Sequence, residues 1–398
     1  MASLGLVPEI LRLPESLGPA KAPTAAEFFA GIGLVRLGLE AAGFAVEWSN
    51  DIDADKRHMY EGHFRPPPPT SHRFLLKDIG SVSSESLPAG LSLAWASSPC
   101  TDLSLAGGRR GLQGSESGTF WHFVRILQEM GSERPPVIVL ENVVGLATSH
   151  GGEDLAAAIG AFNSLDYSAD VLALDARRFV PQSRPRLFIV GAQNPPSDSA
   201  AHSSELRPDW LQGPYGDPTL TTHRAILPTP PPPLTSGLAA IVDRLPARDE
   251  RWWDGERTQA FLASLSPLQS DRLNALRAAK SVSYRTAYRR TRNGSAVWEV
   301  RQDDISGCLR TARGGSSKQA VVKVGRGQVR VRWMTPREYA RLMGAPEYRL
   351  NSVRESQALF GFGDAVCVPA VEWLARNYLL PLVRGDMNAK PHLVLAGA

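Results

Sequence analysis

Four short stretches of this 398-residue chain carry side chains able to do chemistry. "SLAWASSPC" brings an apolar run to two serines, a proline and Cys100. A thiol attacks only as the thiolate, and its ordinary pKa is about 8.5, so a reactive cysteine wants a positive neighbour. A free cysteine is as often a small buried hydrophobe, yet a long glycine-rich stretch carrying Arg109 and Arg110 follows this one. "PPVIVLENV" ends a β-branched run on Glu141, which reads as a capped strand end or an acid/base group. "QSRPRLFIVG" sets Gln182, Arg184 and Arg186 at alternating positions entering a strand. Two guanidiniums on one side bind a carbonyl or phosphate, or else form structural ion pairs. "EFFAGIG" places Gly31 and Gly33 where a strand gives way to a helix, so that backbone N–H groups can face a ligand. Asp51 follows about twenty residues later, where an acid holds ribose hydroxyls. Leu34-Val35-Arg36 stand where the third glycine of the dinucleotide fingerprint belongs, which weakens a nicotinamide or flavin reading and leaves another adenosine-bearing cofactor favoured.

The elements that must position these residues alternate. "TAAEFFAGIG", "AVEWSNDID", "LSLAWASS" and "PPVIVLENV" read as strands, interleaved with helical spacing in "LVRLGLEAAGF", "ADKRHMYEGHF", "GTFWHFVRILQEM" and "EDLAAAIGAFNSL". "YSADVLALDA" and "RLFIVGAQ" add two more strands. Such alternation implies an α/β, doubly wound, mostly parallel sheet, whose ligands gather at the C-terminal ends of the strands. Cys100 and Glu141 fall on that edge. After about Gln193 turn residues dominate, and "LPTPPPPLTSG" reads as a stiff connector. A second, smaller domain of irregular β and loop structure is expected there, with helical spacing restored past Thr335 as the chain returns to the first domain. The expected division is 1–195, 196–350 and 351–398.

Charge separates these parts. The chain carries +4 overall, whereas residues 271–330 hold fourteen Lys and Arg against four Asp and Glu, a local +10 that leaves 4 − 10 = −6 elsewhere. That asymmetry suits a polyanion bound by one region, against the plainer alternative of a solvated basic face. Cys100, Cys308 and Cys367 never form a CxxC pair, which argues against a disulfide framework or a zinc site and expects no metal. The N-terminal stretch lacks the pattern of a secretory leader, and no apolar run approaches the roughly 20 residues of a membrane span. A reducing cytoplasm is the expected compartment.

Taken in order, "EFFAGIG", "SNDID", "KDIGSV", "SSPCTDLS", "LENVVGL", "QSRPRLFIVG", "TPREYARLMGAP" and "FGFGDAV" resemble the motifs of the C5-cytosine DNA methyltransferase family, from about residue 25 to 380. The resemblance implies a Rossmann-like S-adenosylmethionine-dependent fold with a target-recognition domain. It implies cofactor contacts at Phe28, Ala30, Gly31, Ile32, Gly33, Asp51, Ile52, Asp78, Ile79, Pro99 and Asp364. It makes Cys100 the nucleophile, Glu141 the group at cytosine N3, and Arg184 and Arg186 the groups around the base. The DNA-facing residues would include Gln182, Arg109, Arg310, Thr311 and Arg313. The partner it implies is double-stranded DNA, read by a monomer from a restriction–modification system or a solitary enzyme, with a restriction endonuclease as possible companion. Asp364 departs from the asparagine usual in the last motif. Two rivals stand beside this reading. RNA-acting relatives share the motifs, although "TDLS" after the Pro-Cys pair is not their usual version. A DNA-binding protein that has lost catalysis is the other, and intact Cys100, Glu141 and Arg186 speak against it.

Overall fold

A computed structural model describes residues 22–65, 72–99, 118–199, 204–292, 295–311 and 318–388. The first half builds β1 (Thr24–Phe28), α1 (Leu34–Ala42), β2 (Ala45–Asp51), α2 (Ala54–His63), β3 (Arg73–Leu76), β4 (Leu93–Ser97), α3 (Thr119–Met130), β5 (Val137–Val143), α4 (Glu153–Asn163), β6 (Ser168–Asp175) and β7 (Pro185–Ala192). These strands form one sheet in the order β3-β2-β1-β4-β5-β7-β6. Its pairings are parallel except those of β7, which runs antiparallel to both β5 and β6. The doubly wound, mostly parallel sheet expected from the alternation is present. The short edge strand β3, which the sequence pattern did not single out, extends it.

Helices cover both faces because each presents one apolar stripe. Phe120, Phe123, Ile126 and Leu127 of α3 and Leu155, Ile159 and Phe162 of α4 pack on one face. Val35 and Leu39 of α1 pack on the other, beside a helix from the far end of the chain. Each such side chain, fully buried, contributes about 1.5–3 kcal/mol. β5 is buried on both faces, as its Val-Ile-Val-Leu run requires.

The segment after β7 does not leave this core at once. Leu206, Leu211 and Ala225 join its apolar clusters, on either side of the single turn α5 (Gly213–Gly216). Asp170 on β6 anchors them: Arg207 Nε donates at 2.7 Å, Tyr215 Oη at 2.8 Å and Tyr378 Oη at 3.0 Å.

Beyond it lie α6 (Gly255–Ala263), α7 (Pro267–Ala278), β8 (Ser283–Arg292), β9 (Ser295–Val300), β10 (Ala320–Gly325) and β11 (Gln328–Trp333). The four strands form an antiparallel sheet, β11-β10-β8-β9, the smaller β-rich part expected after the first sheet and more regular than its turn-rich sequence suggests. Arg326 and Gly327 turn the β10–β11 hairpin at φ 52° and 76°, the left-handed pair that matches strand twist. Phe261, Leu265 and Leu273 seal its core, beside a ring cluster in which Trp253 and Trp333 lie 5.2 Å apart. Trp253 therefore packs within the aromatic cluster.

The chain then adds α8 (Pro336–Leu342), α9 (Glu355–Asp364), α10 (Val368–Leu374) and α11 (Leu380–Arg384). α10 lies so close on α1 that a Cβ at Gly38 would sit 2.6 Å from Val371. The helical run Glu355–Arg384 is longer than any apolar stretch expected from the sequence and has the length and composition of a membrane span. Its apolar window is 67% buried inside the fold, and Leu359, Val371 and Tyr378 serve as core residues.

Candidate active site

The glycine turn after β1 is held open from below. Phe29, Gly31 and Gly33 take positive φ values of 56°, 57° and 81°, which throws the backbone out of the strand before α1 begins at Leu34. A Cβ at Gly33 would strike Phe64 and Tyr60 at 2.4 and 2.6 Å, while nothing lies within 4 Å of one at Gly31. Gly31 N donates to Asp51 Oδ2 at 2.8 Å and Asp53 N to Asp51 Oδ1 at 2.9 Å, fixing that carboxylate at the end of β2. Ile52 beside it is 65% exposed, a large apolar side chain mostly open to solvent. An open glycine turn, an oriented carboxylate and a bare apolar surface fit an adenosine-bearing ligand: hydroxyls for Asp51, a flat ring for Ile52. Phe28, by contrast, is wholly buried against Trp48 and Phe123, and can offer only backbone. Ile32 and Ile79 are also turned into the core, Ala30 is buried, and Asp78 is exposed and caps the turn at Gly80 N, 2.7 Å away.

Two strands away, Glu141 and Arg186 meet. Glu141 is registered with Phe188 across the β5–β7 ladder and Arg186 with Val143, so the two form a diagonal pair. Arg186 Nε lies 3.0 Å from Glu141 Oε1, with side chains 14% and 7% exposed. Neighbouring Asn142 donates to the carbonyl and hydroxyl oxygens of Ser98 at 3.3 and 3.1 Å, tying the end of β4 to β5. Half-buried Pro99 follows. Cys100, Arg109 and Arg313 lie outside the described residues.

Arg184 and Gln182, expected at the substrate, are both buried and engaged with the protein. Arg184 is 2% exposed, and its guanidinium spans three segments. It donates to Leu309 O at 2.8 Å, to Cys308 Sγ at 3.0 Å, and to Ala365 O and Gly363 O at 2.5 and 3.3 Å. Burial, and then the like charge of Arg186, lower its pKa. Gln182 is fully buried: it donates to Leu342 O at 2.7 Å and accepts from Leu309 N at 3.0 Å. Both side chains bond groups more than 120 residues away, and Arg184 keeps Nε without a hydrogen-bond partner.

Sequence reasoning missed Cys308, which lies beside both arginines, with Arg186 Nη2 at 3.9 Å. Burial pushes its thiol pKa up, but the Arg184 and Arg186 charges outweigh burial and hold it below the ordinary thiol range. It also missed Lys56, whose ammonium lies 2.8 Å from Asp364 Oδ2. Neither position had a local pattern to betray it, because each partner comes from far along the chain. Arg310 is exposed and Thr311 half-buried, and both run against Gly363, where a Cβ would come within 2.6 Å of the Arg310 backbone. Among the described residues no group of three His, Cys, Asp or Glu could hold a metal ion.

Comparison with known proteins adds a lineage to this geometry. A sequence profile of C-5 cytosine-specific DNA methylases matches residues 24–379. The Type II methyltransferase M.Bsp6I of Bacillus sp. (strain RFL6) is 26% identical over 359 residues, covering 88% of this chain and 97% of that protein. M.HhaI of Haemophilus parahaemolyticus is 30% identical over 169 residues, 42% of this chain and 48% of its own. The crystal structure of S. pombe Dnmt2 methyltransferase superposes with a TM-score of 0.58 at 15% identity, over 90% of this chain and 99% of that one. The Entamoeba histolytica methyltransferase EhMeth does so at 0.58 and 14%, over 92% and 99%. Identities this low speak for the fold alone.

Proposed function

The chain belongs to the C-5 cytosine-specific DNA methylase family, and from that premise we propose that it transfers the methyl group of S-adenosylmethionine to C5 of a cytosine flipped out of a short, specific duplex sequence. The observation that carries the proposal is the Glu141–Arg186 pair, 3.0 Å apart on the edge of the sheet that also holds Asp51 and the glycine turn. When bound, S-adenosylmethionine supplies an electrophilic methyl carbon on a sulfonium. Asp51 would accept the ribose hydroxyls, Ile52 would cover the adenine, and the Gly31–Gly33 turn would leave the ligand room.

Cytosine C5 is a poor nucleophile until C6 is saturated. In our reading the Cys100 thiolate forms a bond to C6, and the C5=C6 electron pair becomes available at C5. Charge then builds at N3 and O2. Glu141 would hold N3 and the guanidinium of Arg186 would steady O2. Once C5 carries its methyl, loss of the C5 proton and departure of the thiolate restore the ring. Arg184 acts one step removed, fixing the segment around Cys308 against α9. The base must leave the stack for any of this, at a cost of a few kcal/mol.

We assign target reading to the second sheet and its flanking helices, Gly255 to Trp333 within the expected 196–350 division, with Arg310 and Thr311 at the DNA. A monomer working on double-stranded DNA in the cytoplasm, alone or alongside a restriction endonuclease, completes the proposal. Base-resolution 5-methylcytosine sequencing of a methylation-free bacterial host expressing the chain tests it. One short motif methylated by the wild type and by no Cys100→Ala sample is expected. Unmethylated DNA from well-expressed, folded protein overturns the reading.

A further inference from the structure

We propose that Lys56 and Asp364 form a charge pair at the mouth of the cofactor site that sets how strongly the sulfonium substrate is preferred over its uncharged-sulfur product. The inference rests on the S-adenosylmethionine reading above.

The end of α9 is packed directly on the glycine turn. A Cβ at Gly361 would sit 2.7 Å from Ile32 and 3.1 Å from the Met59 sulfur, and Tyr348 Oη donates to Ile32 O at 2.8 Å. Asp364, the last residue of α9, therefore stands at the rim of that turn. Lys56, in the first turn of α2, reaches it at 2.8 Å, with the Phe360 ring centroid 5.5 Å from the ammonium. Burial opposes the Lys56 charge, but Asp364, then Asp51 and Asp53, outweigh it and raise its pKa. The other acids nearby are engaged: Asp51 by Gly31 N and Asp53 N, Asp53 as the cap of α2, and Asp55 by Arg354 at 3.1 Å. One ammonium thus sits among three carboxylates, Asp51, Asp53 and Asp364, beside the proposed adenosine site.

Substrate and product differ by one methyl and one positive charge on sulfur. A field at this rim acts on the first and hardly on the second. A pair with only a structural role, in contrast, would change the affinity for both alike. The side chains are 16% and 40% exposed, so the field is only partly screened by solvent.

Calorimetric titration of the full chain with S-adenosylmethionine and with S-adenosylhomocysteine gives the ratio of the two Kd values. Asp364→Asn, which leaves Lys56 less compensated, is expected to shift that ratio about three- to tenfold against S-adenosylmethionine. Lys56→Met should shift it in favour by a similar factor, and the double variant should return to within about twofold of wild type. In the wild type, the preference for S-adenosylmethionine should shrink as NaCl rises from about 0.05 to 0.5 M. This arm stands even if a variant does not fold. Binding of both ligands with a ratio unmoved by either substitution or by salt overturns the inference. A wild type that binds neither ligand removes the cofactor reading itself, and the inference with it.

Discussion

Arg186 and Glu141 hold each other at 3.0 Å across the one antiparallel ladder that β5 makes. Had β7 run parallel like its neighbours, two residues so placed would not have met on the functional edge. The reversal brings a cation from the start of one strand to an anion near the end of another.

Glu141→Gln keeps the shape and a hydrogen bond to Arg186 but loses the charge. Single-turnover methylation is expected to slow by about 10²- to 10⁴-fold, while S-adenosylmethionine affinity by calorimetry stays within twofold. An unchanged rate would remove Glu141 from the chemistry.

Arg184→Met should behave as a folding defect. It strands the carbonyls of Leu309, Gly363 and Ala365 without their donor. A loss of about 2–4 kcal/mol is expected in urea unfolding, with hydrogen exchange faster at residues 308–311 and 363–365. Lost turnover with undiminished stability would instead put this guanidinium on the substrate.

The two glycines of the turn should separate. Gly33→Ala meets a left-handed φ of 81° and two aromatic rings within 2.6 Å, for a cost of about 2–4 kcal/mol. Gly31→Ala meets open space at φ 57° and should cost only about 1 kcal/mol. Under the proposed function its methyl group would occupy the ligand's approach, so calorimetry should show S-adenosylmethionine affinity at least tenfold weaker in a protein that melts almost normally.

Glu27 should make stability depend on pH. It is buried on β1, with Ser49 donating to Oε2 at 3.4 Å. Burial pushes its carboxyl up to about 8 from 4.5, against the opposing pull of Arg36. Between those values the unfolded chain gives up a proton that the native chain retains. Stability therefore falls as pH rises through that window, by up to about 1.4 kcal/mol per unit from this group, and levels off above it. Glu27→Gln, a mimic of the protonated form, should flatten the slope and melt higher than wild type at pH 8. Parallel Tm–pH profiles for the two proteins would exclude the effect.

Much of the first sheet was legible because each element carries its own period: Val-Ile-Val-Leu for a strand buried on both faces, Leu34, Val35 and Leu39 for a helix with one apolar stripe. β3 escaped notice because one exposed and three half-buried edge residues make no pattern. The second sheet escaped because β8, "SYRTAYRRTR", spreads arginines along a strand whose interior is supplied by Ala287 and by partners on β10. In the site, alternation correctly grouped Arg184 with Arg186 but could not say that Arg184 would turn to carbonyls 125 and 181 residues downstream. Residue type narrows a role, and only the partner's position decides it.

The seating of Val371 against Gly38 has a consequence for how the molecule is made. Helix α1 emerges from the ribosome early and must wait for some 330 further residues before the helix that covers it exists. At about 5–20 residues per second, that is a delay of tens of seconds. The antiparallel sheet, whose strands lie within 51 residues of one another, can close in the meantime. Synthesis thus completes the strands of the antiparallel sheet before the helix that covers α1 exists. If the proposed roles hold, the nascent chain carries its target-reading strands before its cofactor-binding core is closed.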